Sequence, residues 1–486
     1  MAACRMTLEK VVQVEGVEVS LDALWTTPEG HTTFGAEKAK VTIHVRKRAT
    51  RLVEARSTRV QIKRTRQFFV EQESHDATMG TGCQLVASPW AQHLKPSPTL
   101  AIKEVADQLK LSGVEVFDFG VGEMNPYVPV PLALRQAIAA AQLAESHSHY
   151  TAASGDNSLL EALSEDFRRF GMTYAPHEIV VCPGPKDAIF KACIALVNPA
   201  MPRNRVVAFA PSYEAFENVP PLTTGKPAII LPTDDRFFPK VDELERLLAT
   251  DPTIAIIIVN SPNNPTGVVY PASLIADLAQ VIGEYPQVAV ISDESYRTAI
   301  YSDEPYSSIA HHLPLQTLVV AGISKELSST GLRLGWVAGP AQIIRVIANV
   351  HGNATSCVNL PVQVGLAQFL RYRPTDHPIY QIQLARLKVS QTRRAERDME
   401  SRKEIKRQLQ LRRDIALELF SSLPHLKRCK LTASQGAFYL FPDVTAFLDT
   451  RAPSVDEADA AEVIRTDKEL ALYLLRAAKV VAIPGS

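Results

Sequence analysis

The sequence predicts an α/β fold: a large domain with a mixed, mostly parallel sheet sandwiched by helices, and a smaller α+β domain beside it. Three observations lead there. Short apolar runs ("EIVVC", "NRVVAFA", "PAIIL", "IAIIIV", "VAVIS", "LVVAGI") alternate with helix-like segments ("PLALRQAIAAAQLA", "SLLEALSEDFRRF", "KDAIFKACIAL", "PASLIADLAQVIGEY"). The runs are apolar at consecutive positions rather than at every second one, so both faces of each strand are covered, as in a parallel sheet. Polar clusters follow several runs directly, where sheets of this kind bind their ligands.

Taken in order, residues 1–96 lack a sustained apolar period and hold the basic stretch "HVRKRATRLVEARSTRVQIKRTR". Such composition reads as a disordered or poorly ordered arm. The regular pattern begins at "SPTLAIKEVADQL". Residues 97–135 are assigned to the N-terminal part of the small domain, 136–345 to the large, ligand-binding domain, and 346–486 to the C-terminal part of the small domain. Within the last, "LKVSQTRRAERDMESRKEIKRQLQLRRD" reads as a basic, exposed helical insertion over about 388–413.

At 486 residues the chain exceeds one ordinary core. Lys+Arg 52 against Asp+Glu 52 gives no global pull towards nucleic acid or membrane, and neither partner is expected. No helix-turn-helix pattern is legible before residue 97, and no apolar run approaches the ~20 residues of a membrane span. The six cysteines contain no CxxC pair, so no metal site or disulfide framework is expected, and the reducing cytoplasm is the expected location.

The polar clusters carry the chemistry. In "VVCPGPKDAIF", Gly184, Pro185 and Lys186 end a strand and open a helix, which offers free backbone N–H groups to a phosphate. "IAIIIVNSPNNPTG" holds Asn260, Asn263 and Asn264 among prolines, and "VAVISDESY" sets Asp293 after a buried strand with Tyr296 three positions on. A carboxylate there needs a cationic partner or several donors. "GISKELSSTGLRLGW" brings Lys325 out of a buried strand into a loop rich in Ser, Thr and Gly, with Arg333 farther along. Desolvation lowers the pKa of such a lysine and leaves a neutral amine able to form Schiff bases. An aldehyde bound by Lys325, a phosphate met by Arg333 and a helix N-terminus, and a pyridine nitrogen kept protonated by Asp293 together describe pyridoxal 5′-phosphate.

The ordered series "HYTAASG", "CPGPKDA", "APSYEAF", "NSPNNPTG", "SDESY", "SKELSSTGLRLGW" and "GAFYLF" resembles the class I and II aminotransferases of the aspartate aminotransferase fold, from about residue 97 onwards. The resemblance implies a fold-type-I enzyme moving an amino group from an L-amino acid to a 2-oxo acid by a ping-pong route through a Lys325 Schiff base. Lys325 would also shuttle the proton, Asp293 would pair with the pyridinium nitrogen, and Asn264 and Tyr296 would bond the ring's 3′-oxygen. Tyr213 would stack on the ring. The phosphate would sit on the backbone around Gly184, Pro185 and Lys186, with Ser324, Arg333 and Tyr150, the last from the other subunit of a homodimer. Gly122 and Asn264 would border the substrate.

Four departures accompany the resemblance. The family follows "PGS" with a segment holding the arginine that clamps the substrate carboxylate, whereas this sequence ends "VVAIPGS" at Ser486, so a truncated small domain and weak transamination are expected. The basic insertion is longer than the family's helix, Gly322 stands where relatives often have a phosphate-binding serine, and residues 1–96 have no family equivalent. A lyase or synthase on the same fold, or a non-catalytic aminotransferase-like protein, stays open at this point.

Overall fold

The structure, a computed structural model, describes residues 7–14, 17–24, 98–120, 122–124, 127–371, 397–424, 426–454 and 463–485. Contacts divide the chain into two units, Met1–Val86 and Ala87–Ser486. In the first, Thr7–Val14 (β1) and Val17–Leu24 (β2) pair as an antiparallel hairpin, with Val14 opposite Val17. Of the arm expected to be disordered or poorly ordered, these two strands are the described part. In sequence, Val12, Val14, Val17 and Val19 alternate with Gln13, Glu18 and Ser20, the period of a strand. The basic stretch at 44–66 lies outside the described residues.

The second unit is built on a seven-stranded sheet: Ile179–Cys182 (β4), Arg205–Phe209 (β5), Ile229–Leu231 (β6), Ile254–Asn260 (β7), Ala289–Asp293 (β8), Thr317–Gly322 (β9) and Gly335–Ala338 (β10). A short strand, Phe117–Asp118 (β3), lies outside it. The order is β4-β10-β9-β8-β7-β5-β6. Only β10 is antiparallel to its neighbours, pairing Gly335 with both Cys182 and Gly322. All seven residues of β7 are buried. Along β9, Val319 and Ala321 enter one core cluster while Leu318 and Val320 enter the opposite one, so the strand is dry on both faces. That is the arrangement the consecutive apolar runs predict.

Helices cover both faces. Leu132–Gln142, Asn157–Arg169 and Leu360–Arg371 lie over the face that contains Val319. Pro185–Leu196 and Ala341–Thr355 lie over the other. These last two helices are tied by Lys191, whose buried ammonium donates to Asp187 Oδ2 (2.6 Å), His351 Nδ1 (2.6 Å) and Thr355 Oγ1 (3.0 Å). Burial and the charge of Lys191 push the pKa of His351 down to about 4, so the imidazole stays neutral and accepts. Cys182, Asp187 and His351 are also spaced as a metal cluster would be, but the Lys191 ammonium already supplies the cation there.

Elsewhere, Val480–Val481 pairs parallel to β3, and Ala106, Leu475 and Val481 pack together. Among the described residues no helix is long and apolar enough to cross a membrane. The helix Arg397–Ser422 falls within and beyond the basic stretch expected to be exposed. It is not exposed all round. Arg402, Ile405 and Leu409 are buried, and Arg402 joins four charges away from water. Its Nη1 lies 3.1 Å from Asp166 Oδ1 and its Nη2 3.3 Å from Glu326 Oε2. Arg297 completes the set, with Nε 2.7 Å from Glu326 Oε1 and Nη2 3.0 Å from Asp166 Oδ2. Its guanidinium also lies over Phe170, 4.0 Å from the ring centre.

Removing one member leaves a buried charge without its counter-ion. Arg297→Ala is expected to cost roughly 3–5 kcal/mol, while Arg407→Ala, which breaks an exposed pair with Glu404, is expected to leave stability nearly unchanged. Urea midpoints of the two variants check this; equal midpoints would contradict the network's role.

Candidate active site

The carboxyl ends of the parallel strands deliver the polar clusters to one edge of the sheet. β8 and β9 run side by side, and so do β7 and β8, with Asn260 opposite Asp293 in register. Asn260 fixes both neighbours. Its Nδ2 donates to the Asp293 carbonyl (2.9 Å), and its Oδ1 accepts from the Asn264 backbone N–H (2.8 Å).

Lys325 does not sit in an open loop. It follows β9 in a single helical turn, Ile323–Glu326, which the Ser- and Gly-rich composition did not suggest. The turn buries Glu326 in the four-charge network and leaves Lys325 half-buried beside it. The Lys325 Nζ donates to the Gly122 carbonyl and lies 5.4 Å from the ring centre of Phe438. Burial brings its pKa down to about 8, with Arg333 and Lys186 adding to the fall and Glu123 and Asp293 opposing it.

Asp293 is buried, and burial raises its pKa, partly offset by Ser295. Both Ser295 donors, the backbone N–H (3.1 Å) and the hydroxyl (2.6 Å), go to Oδ1. Oδ2 makes no hydrogen bond among the described residues. Tyr296 is buried and its hydroxyl bonds that of Tyr439. Among the described residues the Asn264 side-chain amide makes no hydrogen bond, and the buried Ser324 hydroxyl has no partner.

Gly184 has φ 98 and caps the helix Pro185–Leu196. A side chain there would be strained, and its Cβ would lie 2.8 Å from Arg333 Nη2. Arg333, itself left-handed at φ 50, donates to the carbonyls of Pro183 (2.9 Å) and Thr330 (3.0 Å). The guanidinium thus stands over the helix N-terminus. At Gly322 a Cβ would meet Gly335 Cα at 2.8 Å, so the close approach of β9 and β10 excludes the serine that the resemblance led one to look for. Beside Arg333, Lys186 pairs with Glu214 (3.1 Å) and lies 5.2 Å from the Tyr213 ring centre.

Lys325 lies near enough to Asp293, Arg333 and Lys186 to feel their charges, and Tyr296 and Tyr213 near enough to feel that of Asp293, while the Gly122 carbonyl holds the Lys325 amine. Tyr150 does not join them within one chain. It is 80 % exposed and lines a surface cavity of about 480 Å³ with His147, Cys357 and Leu360. The sequence reading missed Glu123, Ser295 and Tyr439. Tyr439 stands inside the quoted motif "GAFYLF", which carried no assignment because an aromatic pair after Gly-Ala is equally suited to packing.

Residues 114–486 match the family described as "Aminotransferase class I and II". The chain belongs to the class I and II aminotransferases. This aminotransferase is 30% identical to the aspartate aminotransferase of Geobacillus stearothermophilus, over 81% of its own chain and 89% of the relative. It is 31% identical to the aspartate aminotransferase of Pinus pinaster over 82% and 74%, and 28% identical to the aspartate/prephenate aminotransferase of Nitrosomonas europaea over 81% and 90%. Among solved structures, the aspartate aminotransferase of Thermus thermophilus with maleate superposes with a TM-score of 0.67 at 27% identity, covering 82% of this chain and 92% of that one. The fold is that of the family, an enzyme family of transaminases dependent on pyridoxal phosphate.

The lowered pKa of Lys325 has a direct consequence. Its neutral, reactive fraction rises as pH climbs through about 8, whereas an ordinary lysine needs about pH 10.4. Brief labelling of the cofactor-free aminotransferase with acetic anhydride, read peptide by peptide, should give a midpoint near pH 8 for Lys325 and a higher one for exposed lysines. A Lys325 midpoint above 10 would contradict the geometry.

Proposed function

We propose that this aminotransferase moves the amino group of an L-amino acid, with four-carbon dicarboxylic donors of the aspartate kind foremost, to a 2-oxo acid in two alternating half-reactions. The observation that carries the reading is the Lys325 amine, half-buried at the end of β9, its pKa brought to about 8, near enough to Asp293 and Arg333 to feel their charges. The donor class rests on the aspartate aminotransferase names of the relatives.

The residues present fit pyridoxal 5′-phosphate. The unpartnered Ser324 hydroxyl, the Gly184 cap, the N-terminus of Pro185–Leu196 with Lys186, and Arg333 offer donors to a phosphate. The buried Asp293, with Oδ2 uncommitted, suits a protonated ring nitrogen. Asn264 and Tyr296 would bond the ring oxygen, and Tyr213 would stack on the ring. Bound there, the cofactor supplies an aldehyde that captures amines and a ring that accepts the electron pair released when the α-proton leaves.

The chain's own part is then positional and protic. Lys325 would hold the cofactor through Nζ and, when that Nζ is free, would move the substrate's α-proton as a general base and acid. Asp293 would keep the ring nitrogen protonated. A charged carboxylate there is stabilised by that N–H, which offsets the burial that otherwise raises its pKa. Gly122, whose carbonyl holds the Lys325 amine, would border the substrate with Asn264. A homodimer belongs to the reading, since the exposed Tyr150 would reach the phosphate of the other subunit.

Lys325→Ala and Asp293→Asn test it. Borohydride treatment of the reconstituted protein should fix the cofactor on the Lys325 peptide alone. Lys325→Ala should lose at least about 10²–10⁴ in half-reaction rate, and Asp293→Asn should retain cofactor through the phosphate anchor while losing most of that rate. Steady turnover should require both an amino acid and a 2-oxo acid. Consumption of many equivalents of amino acid per site with no acceptor present would overturn the reading in favour of a lyase.

A further inference from the structure

We infer that Tyr439 is a positioning residue that acts through Tyr296: its hydroxyl donates to the Tyr296 hydroxyl, so that the proton of Tyr296 is directed at the cofactor's ring oxygen. The inference rests on the reading of the site given above and adds a residue to it. Tyr439 lies on the far side of the chain from Tyr296 in sequence, yet the two hydroxyls are hydrogen-bonded. Tyr296 is the only partner of the Tyr439 hydroxyl among the described residues.

Three aromatic rings fix that contact. Tyr296 meets Tyr439 and Phe438 edge-on, each with ring centres 5.6 Å apart, and Phe438 and Tyr439 lie 4.7 Å apart. The backbone is pinned on the same side, because Ala437 N donates to the Ala299 carbonyl (2.8 Å) and the Tyr301 hydroxyl donates to the Ala437 carbonyl. A methyl group added at Gly122 would lie 3.0 Å from the Tyr439 hydroxyl and 3.2 Å from Lys325 Nζ. Hydroxyl and amine therefore border the same small space.

Proton counting sets the direction. Each phenol has one proton, and burial lifts both pKa values above the ordinary tyrosine value, so both remain protonated through the working range. Tyr296 cannot donate to two acceptors at once. An anionic ring oxygen is a stronger acceptor than a neutral phenol, so the Tyr296 proton goes to it, and the Tyr439 proton takes up the lone pair of Tyr296. Donation into Tyr296 polarises its O–H and strengthens the outward bond.

The test is the pH titration of the visible absorption band of the cofactor-loaded protein. A donor to the ring oxygen stabilises its negative charge; when that donation weakens, the proton shared between the oxygen and Lys325 is held more tightly, and the midpoint rises. The charged groups around Lys325, which are Glu123, Asp293, Arg333 and Lys186, and the phenol of Tyr213 are common to all the proteins compared.

Tyr439→Phe should move the midpoint up by about half a pH unit, against about one unit for Tyr296→Phe, which loses the whole bond. In the double variant, Tyr439→Phe should add nothing to Tyr296→Phe. A merely structural role for Tyr439 predicts either no shift or the same shift in both backgrounds, and either result overturns the inference. A wild-type protein that loads cofactor but has the same midpoint as Tyr439→Phe overturns this inference alone. Absence of any visible band after reconstitution overturns the cofactor reading and this inference with it.

Discussion

The side chain of Arg297 lies wholly inside the protein between Glu326 and Asp166, and without water around it the guanidinium is tolerable only because two carboxylates and three aromatic rings face it. Glu326 is the residue next to Lys325. Asp166 comes from the helix Asn157–Arg169, and Arg402 brings in the helix Arg397–Ser422. One buried network thus holds the turn carrying Lys325 against two helices far apart in sequence. Such networks contribute little net stability, since desolvation of each ion offsets its attraction to the others. What they enforce is geometry, because any displacement of the turn leaves a charge alone in a dry interior.

Dryness also sets the chemistry. The same burial that lowers the pKa of Lys325 raises that of Asp293, so each group is pushed towards its neutral form. A neutral amine is what capture of an aldehyde needs. A carboxylate under this pressure gains most from a positively charged hydrogen-bond donor, which a protonated ring nitrogen provides. The two shifts therefore favour one ligand, and the leading cause of both is burial. On the other side of the site the exposed Arg333 stands over the Gly184 cap, where an anion can be met without desolvating the guanidinium fully.

Much of this was legible in the sequence. The consecutive apolar runs specify strands covered on both faces, and strands of that kind carry their functional groups at their carboxyl ends. Lys325, Asp293, Asn264 and Gly184 could therefore be placed on one edge before any coordinates. β10 was harder, since "GWVA" is too short to show a period and its antiparallel direction is set by pairing with strands far away in sequence. The hairpin at 7–24 was passed over because its alternation of Val with polar residues lies in a segment otherwise rich in charge.

By itself the sequence determined which residue types stand at the strand ends, because that information is local: an apolar run, a turn signal and a reactive side chain lie within a dozen positions. The tertiary structure alone decided which of them share a proton or a charge. Tyr439 meets Tyr296, Arg402 meets Glu326 and Asp166, and the Gly122 carbonyl meets Lys325, each across long stretches of chain. Those contacts follow from strand order and helix packing, and no periodicity along the chain encodes them. The burial that tunes Lys325 and Asp293 is likewise a property of the assembled interior, where the low dielectric arises only after distant segments have excluded water.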